Sequence, residues 1–390
     1  MQILFVINEL SYFLAHRERL AKDALASGHE VTVASGSCHA ADIKALDPNI
    51  KLIELDLDKH KFRPFADAKL IYTLIKVVRR LRPDIVHCFT IKPILMGGIA
   101  TALAKLTGAP SRLVWTFAGL GKIYETTDSL GDKIRRWCVT SALRVVSYVS
   151  SAHATFENDE DRASMVARKV IPSNRSLTVM GTGIDLELFS MADRVKQAED
   201  VPVRILMATR LINAKGVNEY IEAARHFRPG GRAQFMLAGI ADPTNPDAVE
   251  QGVITKAHSD GDIEFLGEVS QRDMTKLLPQ TDVFCLPTQL KEGLPRSLLE
   301  AAACGVALIG SNQQTIATMV IPNKTGWLVD PFDLTSILDA LDEAIHAPKK
   351  TARYGWAARQ NLENLPVTAE AIWSQFERIY HSPNLTYLRL

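Results

Sequence analysis

The chain has 390 residues, with 45 Lys and Arg against 44 Asp and Glu, 47% hydrophobic residues and 23% charged residues. That length suggests two or three domains, and the proportions exclude a largely disordered or collagen-like chain. A net charge of +1 argues against a nucleic-acid binder, which needs a basic excess to neutralise phosphates.

Met1-Gln-Ile-Leu-Phe-Val-Ile-Asn8 has no basic n-region and reads as a buried strand, not a signal peptide. In the first half, strands are predicted at Ile3–Ile7, Glu30–Ala34, Leu52–Leu55, Ile85–Cys88 and Leu113–Phe117. Several are apolar at consecutive positions, as parallel strands covered on both faces are. Helices are expected at Ala15–Ser27, closed by Gly28, and at Ala68–Leu81, closed at Arg82-Pro83. The segment Ser190–Val203 lacks a clean apolar period and reads as a linker, with the boundary near 185–202. A second strand series follows at Arg204–Ala208, Gln234–Leu237, Ile263–Phe265, Val283–Leu286, Ala307–Ile309 and Gly326–Val329. The final helix places Ile372, Trp373, Phe376, Ile379 and Tyr380 on one face. It either caps the second domain or crosses back to the first.

The expected architecture is therefore α/β, with two doubly wound Rossmann-like domains facing a cleft. Residues 1–190 are expected to form the first domain and 200–366 the second, with a last helix at about 368–390. Ligands bind such domains beyond the carboxyl ends of the strands. The five cysteines are scattered and never spaced as CxxC, so reduced thiols in a cytoplasmic compartment are expected. No apolar stretch reaches the roughly 18 residues that a membrane span needs.

The densest chemistry is Pro287-Thr-Gln-Leu-Lys-Glu292-Gly-Leu-Pro-Arg-Ser-Leu-Leu-Glu300-Ala-Ala-Ala-Cys-Gly305. A strand ends near Leu286, and Pro295 suits the first turn of a helix. That helix start presents the backbone N–H groups of Arg296 and Ser297, a seat for a diphosphate. Glu292 and Glu300 flank it, and ionised carboxylates accept hydrogen bonds from sugar hydroxyls. Arg210 follows one strand and Lys215 precedes the next helix; two such cations can neutralise a diphosphate leaving group. No G-x-G-x-x-G follows a strand, which weighs against a nicotinamide dehydrogenase. No Asp-x-Asp motif or cluster of metal ligands lies within 205–219 or 287–305, so neither a metal nor a cofactor is required.

Together these segments resemble the family 4 retaining glycosyltransferases of the GT-B fold, whose E-x7-E motif matches Glu292…Glu300. The resemblance implies that Arg210 and Lys215 hold the donor diphosphate, that Glu300 binds the ribose hydroxyls and that Glu292 contacts the donor sugar. Gly293, Leu294, Pro295, Arg296 and Ser297 belong to the same donor loop. Gly239, in Leu237-Ala-Gly239, and Leu266, in Glu264-Phe-Leu-Gly267, fall near the nucleoside. Asp84-Ile-Val-His87-Cys-Phe-Thr90-Ile-Lys92-Pro93, Ala118-Gly-Leu-Gly121, Phe156-Glu-Asn158-Asp-Glu-Asp161-Arg162 and Gly181-Thr-Gly183-Ile-Asp185 look like a bacterial subgroup. That subgroup extends undecaprenyl-diphosphate-linked sugars. On the acceptor side the candidates are Asn8, Ser11, His87, Thr90 and Lys92, with a packed, hydrogen-bonded core residue as the alternative reading of His87. The chain departs from the family in three places: the loop Asn8-Glu-Leu-Ser11-Tyr12 lacks glycine, Trp115-Thr116-Phe117-Ala118 lacks the usual His, and Ser311-Asn-Gln-Gln-Thr-Ile-Ala-Thr lacks the Asp and Gly often seen there.

The resemblance implies transfer of a hexose or N-acetylhexosamine from a nucleotide-sugar, such as a UDP-sugar, to a lipid-diphosphate-linked or polysaccharide acceptor. A sugar-nucleotide epimerase is the alternative reaction on the same architecture. Residues 60–144 hold 15 Lys and Arg against 5 Asp and Glu. One cluster comprises Lys61, Arg63, Lys69, Lys76, Arg79, Arg80 and Arg82, interleaved with Phe62, Phe65, Ile71, Tyr72 and Ile75. Lys133, Arg135, Arg136 and Trp137 form another. These clusters predict a cytoplasmic protein held peripherally at the anionic inner face of the cell membrane, with no nucleic-acid partner.

Overall fold

The computed structural model describes all of the chain except residues 58–62, 122, 125–128, 192–200, 242–244, 292 and 383–390. Met1–Gly183 and Ala369–Leu390 make one compact unit, and Ile184–Thr368 makes the other.

The first unit is a parallel sheet of β1 (Gln2–Ile7), β2 (Glu30–Ser35), β3 (Lys51–Glu54), β4 (Ile85–Phe89), β5 (Arg112–Phe117), β6 (His153–Phe156) and β7 (Ser176–Thr178). Its strand order is β3-β2-β1-β4-β5-β6-β7. Successive side chains of β1 enter opposite core layers: Leu4 and Val6 join one, and Ile3, Phe5 and Ile7 join the other. Both faces are covered, which is why the strand reads as an unbroken apolar run. The helix Ala369–His381 belongs to this unit and buries Ile372, Phe376, Ile379 and Tyr380 in the second layer.

The second unit is built likewise from β8 (Val203–Ala208), β9 (Ala233–Ala238), β10 (Glu264–Gly267), β11 (Val283–Leu286), β12 (Ala307–Ser311) and β13 (Gly326–Val329). The order is β10-β9-β8-β11-β12-β13. In each sheet the order reverses beside the first strand, between β1 and β4 and between β8 and β11. Helices leave to opposite faces there, so a crevice opens at the carboxyl ends of the two strands.

Two readings of the sequence are corrected. The helix expected over Ala15–Ser27 is two helices, Leu10–His16 and Glu18–Ala26, broken at Arg17. Arg17 is pulled into the interior, 2% exposed. The strands β6 and β7, of four and three residues, are too short to show a period and were not expected.

Candidate active site

In the second unit, the loops leaving β8 and β11 are fastened to each other. After β8 the chain makes a short turn, Asn213–Lys215, closed by Gly216 at φ +80. A Cβ at Gly216 would lie 2.3 Å from the Pro287 carbonyl oxygen, so only glycine lets the turn press against the loop after β11. Asp247 holds the other side of the turn: its Oδ2 accepts from the Ala214 N–H at 3.1 Å. Gln289 N–H donates to the Ala214 carbonyl at 2.8 Å, and Gln289 Nε2 donates to Glu219 Oε1 at 3.1 Å. The Thr288 carbonyl accepts from Ser311 Oγ at 2.6 Å and Gln313 Nε2 at 3.0 Å. A rigid seat results at the β8/β11 switch point.

Around it stand the residues singled out in the sequence. Lys215 is buried, at 6% exposure. Arg210 is exposed. Pro295 caps the helix Arg296–Ala303 from outside, not in its first turn as expected. No side chain caps that helix, and its first N–H groups, those of Arg296 and Ser297, take no intrahelical partner. Gly293 and Leu294 lead into it, Leu294 being buried. Glu300 is 8% exposed and accepts from Arg296 Nε at 2.9 Å. Burial pushes its carboxyl up despite that guanidinium. Gly239 N–H donates to the Gly267 carbonyl at 2.8 Å. A Cβ at Gly239 would lie 1.9 Å from the Thr209 carbonyl oxygen. Gly239 and the half-buried Leu266 thus border the same carboxyl edge, at the ends of β9 and β10. Glu292 lies outside the described residues.

The first unit's switch point, between β1 and β4, brings Asn8 and Thr90 together: Asn8 Nδ2 donates to Thr90 Oγ1 at 2.6 Å. Thr90 sits at φ +68, a strained conformation for a β-branched residue. Asn8 Oδ1 is buried without a hydrogen-bond partner. The chain needs no glycine here because Glu9 is extended and the helix Leu10–His16 begins at once. Ser11 is exposed in its first turn.

His87 and Lys92 are corrections. His87 is fully buried, with Nδ1 2.8 Å from the Tyr380 hydroxyl and Nε2 2.6 Å from Thr116 Oγ1. Phe5, Phe89 and Phe376 surround the ring, and desolvation holds its pKa well below the usual value. It is a neutral core residue with no face for an acceptor. Lys92 is also buried and pairs with Asp67 Oδ1 at 2.8 Å, so its charge is already answered.

Sequence reasoning missed Arg17 and Glu157, which sit beside this crevice. Arg17 Nη2 donates to Glu157 Oε1 at 2.5 Å and to the Tyr12 hydroxyl at 3.3 Å, and its guanidinium lies 5.0 Å from the Phe89 ring centre. Glu157 follows β6 directly, within the Phe156-Glu-Asn158 segment that carried the subgroup resemblance; that adjacency was the available signal. Among the described residues, His29, Glu377 and His381 bring their ligand atoms within 4.8 Å of one another. His29 immediately precedes β2, so this cluster is at the opposite end of the strands from Asn8.

Residues 2–151 match the description "Glycosyl transferase 4-like" and residues 191–361 "Glycosyl transferases group 1". The chain is 27% identical over 279 residues, 69% of each chain, to the N,N'-diacetylbacillosaminyl-diphospho-undecaprenol alpha-1,3-N-acetylgalactosaminyltransferase of Campylobacter jejuni. It is 25% identical over 303 residues, 74% of each chain, to the UDP-Gal:alpha-D-GlcNAc-diphosphoundecaprenol alpha-1,3-galactosyltransferase of Escherichia coli. Anabaena HepE, solved in complex with UDP-glucose, shares the fold at a TM-score of 0.73 and 16% identity, over 97% of this chain and 98% of that one. The two matched domains, in this order on two doubly wound sheets, make the chain a glycosyltransferase of the GT-B fold, a 4-like domain followed by a group 1 domain.

Proposed function

We propose that the enzyme is a retaining transferase that moves a hexose or N-acetylhexosamine from a UDP-sugar to a lipid-diphosphate-linked sugar at the cytoplasmic face of a membrane, in surface glycan assembly. The observation that carries this reading is the β8/β11 switch point. An exposed cation (Arg210), a buried cation on a locked turn (Lys215) and an uncapped helix start (Arg296, Ser297) all border the crevice where a diphosphate would lie. The acceptor class follows from the two relatives named for diphospho-undecaprenol substrates.

In the reaction, the bond from the sugar C1 to the β-phosphate oxygen breaks, and its electron pair goes to the diphosphate. The acceptor hydroxyl oxygen bonds to C1 on the same face, and its proton passes to the departing phosphate oxygen. Arg210, Lys215 and the helix start stabilise charge as it develops on the leaving group, where preorganised donors act most strongly. Glu292 is assigned to the donor sugar, Glu300 to the ribose hydroxyls, and Asn8, Ser11 and Thr90 to the acceptor side.

Glu300→Ala is expected to raise the apparent KM for the donor with little change in kcat, since ribose binding is uniform through the reaction. The wild-type donor KM should also climb as pH falls, beginning at a higher pH than for an ordinary glutamate. Burial raises the Glu300 pKa, and protonation removes acceptor capacity. A flat KM in both experiments would remove Glu300 from the donor site.

The reading is tested by incubating the protein with UDP- and GDP-sugars, with and without lipid-diphosphate sugars. Transfer should require the acceptor; conversion of the donor to an epimer without acceptor would instead establish the epimerase. Activity should survive EDTA, because the leaving group is neutralised here by protein cations. Loss on chelation with recovery on Mg²⁺ or Mn²⁺ would contradict that assignment.

A further inference from the structure

In the first unit, the helices Pro64–Leu81, Ile91–Leu106 and Leu130–Ser150 pack side by side over one face of the sheet. The last of them is apolar on two opposite sides. Val139, Leu143 and Val146 face the core. About 180° around the helix, at the i, i+4, i+7 spacing of a single stripe, lie Leu130, Ile134, Trp137, Val145 and Tyr148. Their exposures are 74%, 54%, 70%, 62% and 83%. An outer stripe that exposed has no role in the fold of this unit.

The charges beside the stripe identify what covers it. Lys133 and Arg144 lie along one edge and are exposed; Arg144 Nη2 donates to the backbone carbonyl of Arg168. The helix has a single acid, Asp132, which is engaged by Arg135 and Ser129. On the neighbouring helices, Leu103 and Leu106 are exposed, and Lys76 lies 4.2 Å over the ring of the exposed Tyr72. By contrast, Ile71 and Ile75, expected at the surface, pack against the core, and Lys61 and Phe62 lie outside the described residues. No described helix is long and apolar enough to cross a membrane. Aromatic and aliphatic side chains rimmed by cations, on a helix that cannot span, match an interfacial helix lying in the plane of an anionic leaflet.

We infer that the outer face of the helix Leu130–Ser150 inserts into an anionic lipid bilayer, so that apolar insertion, and not surface charge alone, holds the enzyme to the membrane. This rests on the reading that the acceptor is lipid-borne, which supplies the reason for docking.

Cys138 is exposed beside the stripe, so an environment-sensitive fluorophore attached there in a Cys38→Ser background reports insertion. With vesicles of phosphatidylcholine and phosphatidylglycerol, emission should shift to the blue, and part of the binding should persist at high salt. Ile134→Gln with Trp137→Gln should lower vesicle partitioning about tenfold or more. Because both side chains are solvent-exposed, the melting temperature should hold. Turnover on a short-chain, water-soluble acceptor should also hold in this variant. Unchanged partitioning, or binding abolished completely by salt, would overturn apolar insertion. So would a wild-type dimer that the substitutions dissociate without any vesicle binding, since the stripe would then meet a second copy. Absence of transfer to every acceptor would refute the proposed reaction while leaving the vesicle result intact.

Discussion

Replacing Arg210 or Lys215 with alanine should lower kcat by about 10²–10³-fold, the scale of one preorganised donor to a developing anion. The two substitutions control for each other. Arg210 is exposed, so its loss should leave the core packing and the melting temperature unchanged. Lys215 is buried on a turn whose geometry is set by Gly216 and by backbone bonds to Gln289 and Asp247, so the turn persists when the side chain is cut. The effect should appear in kcat more than in the donor KM, because the charge being stabilised grows as the glycosidic bond breaks. Unaltered kcat in both variants would take the diphosphate away from the β8 loop.

The second large effect is on stability. Glu157→Ala leaves the Arg17 guanidinium in the interior without its carboxylate, and the expected loss is about 3–5 kcal/mol. Urea denaturation should show it as a lower midpoint at constant slope. The paired replacement Arg17→Met with Glu157→Leu should recover most of that loss, since two apolar side chains avoid the desolvation of two ions. A double variant as unstable as Glu157→Ala would mean that the pair does more than neutralise a buried charge. Because Arg17 also splits the first two helices and contacts Tyr12 and Phe89, such a result would locate its role in shaping the loop after β1.

What the sequence disclosed and what it hid follow from how far apart the partners are. The central parallel strands were legible where they are continuous apolar runs, as β1 is, and the loop after β11 with its following helix was legible because one segment, 287–305, carries both. The Arg17 break was not, since helix-forming residues run straight through it and the cause is an acid 140 positions away. His87 and Lys92 look like acceptor groups at a strand end until Tyr380, 293 positions on, and Asp67 are placed beside them. The basic segment 60–144 was legible as a charge excess interleaved with apolar residues, but not which of those residues lie outside. The fold selects which of its apolar residues are outside: Trp137 and Tyr72 remain exposed, while Ile71 and Ile75 turn inward.

The most direct test of the central claim is to follow the sugar itself. The enzyme is supplied with an α-configured UDP-sugar and a lipid-diphosphate-linked acceptor, UDP release is quantified, and the anomeric proton of the new linkage is read by NMR. One UDP per sugar transferred, with an α linkage in the product, is the expected result. A β linkage would contradict same-face attack assisted by the departing phosphate, and UDP release without a glycosylated acceptor would contradict the transfer to a lipid-linked sugar.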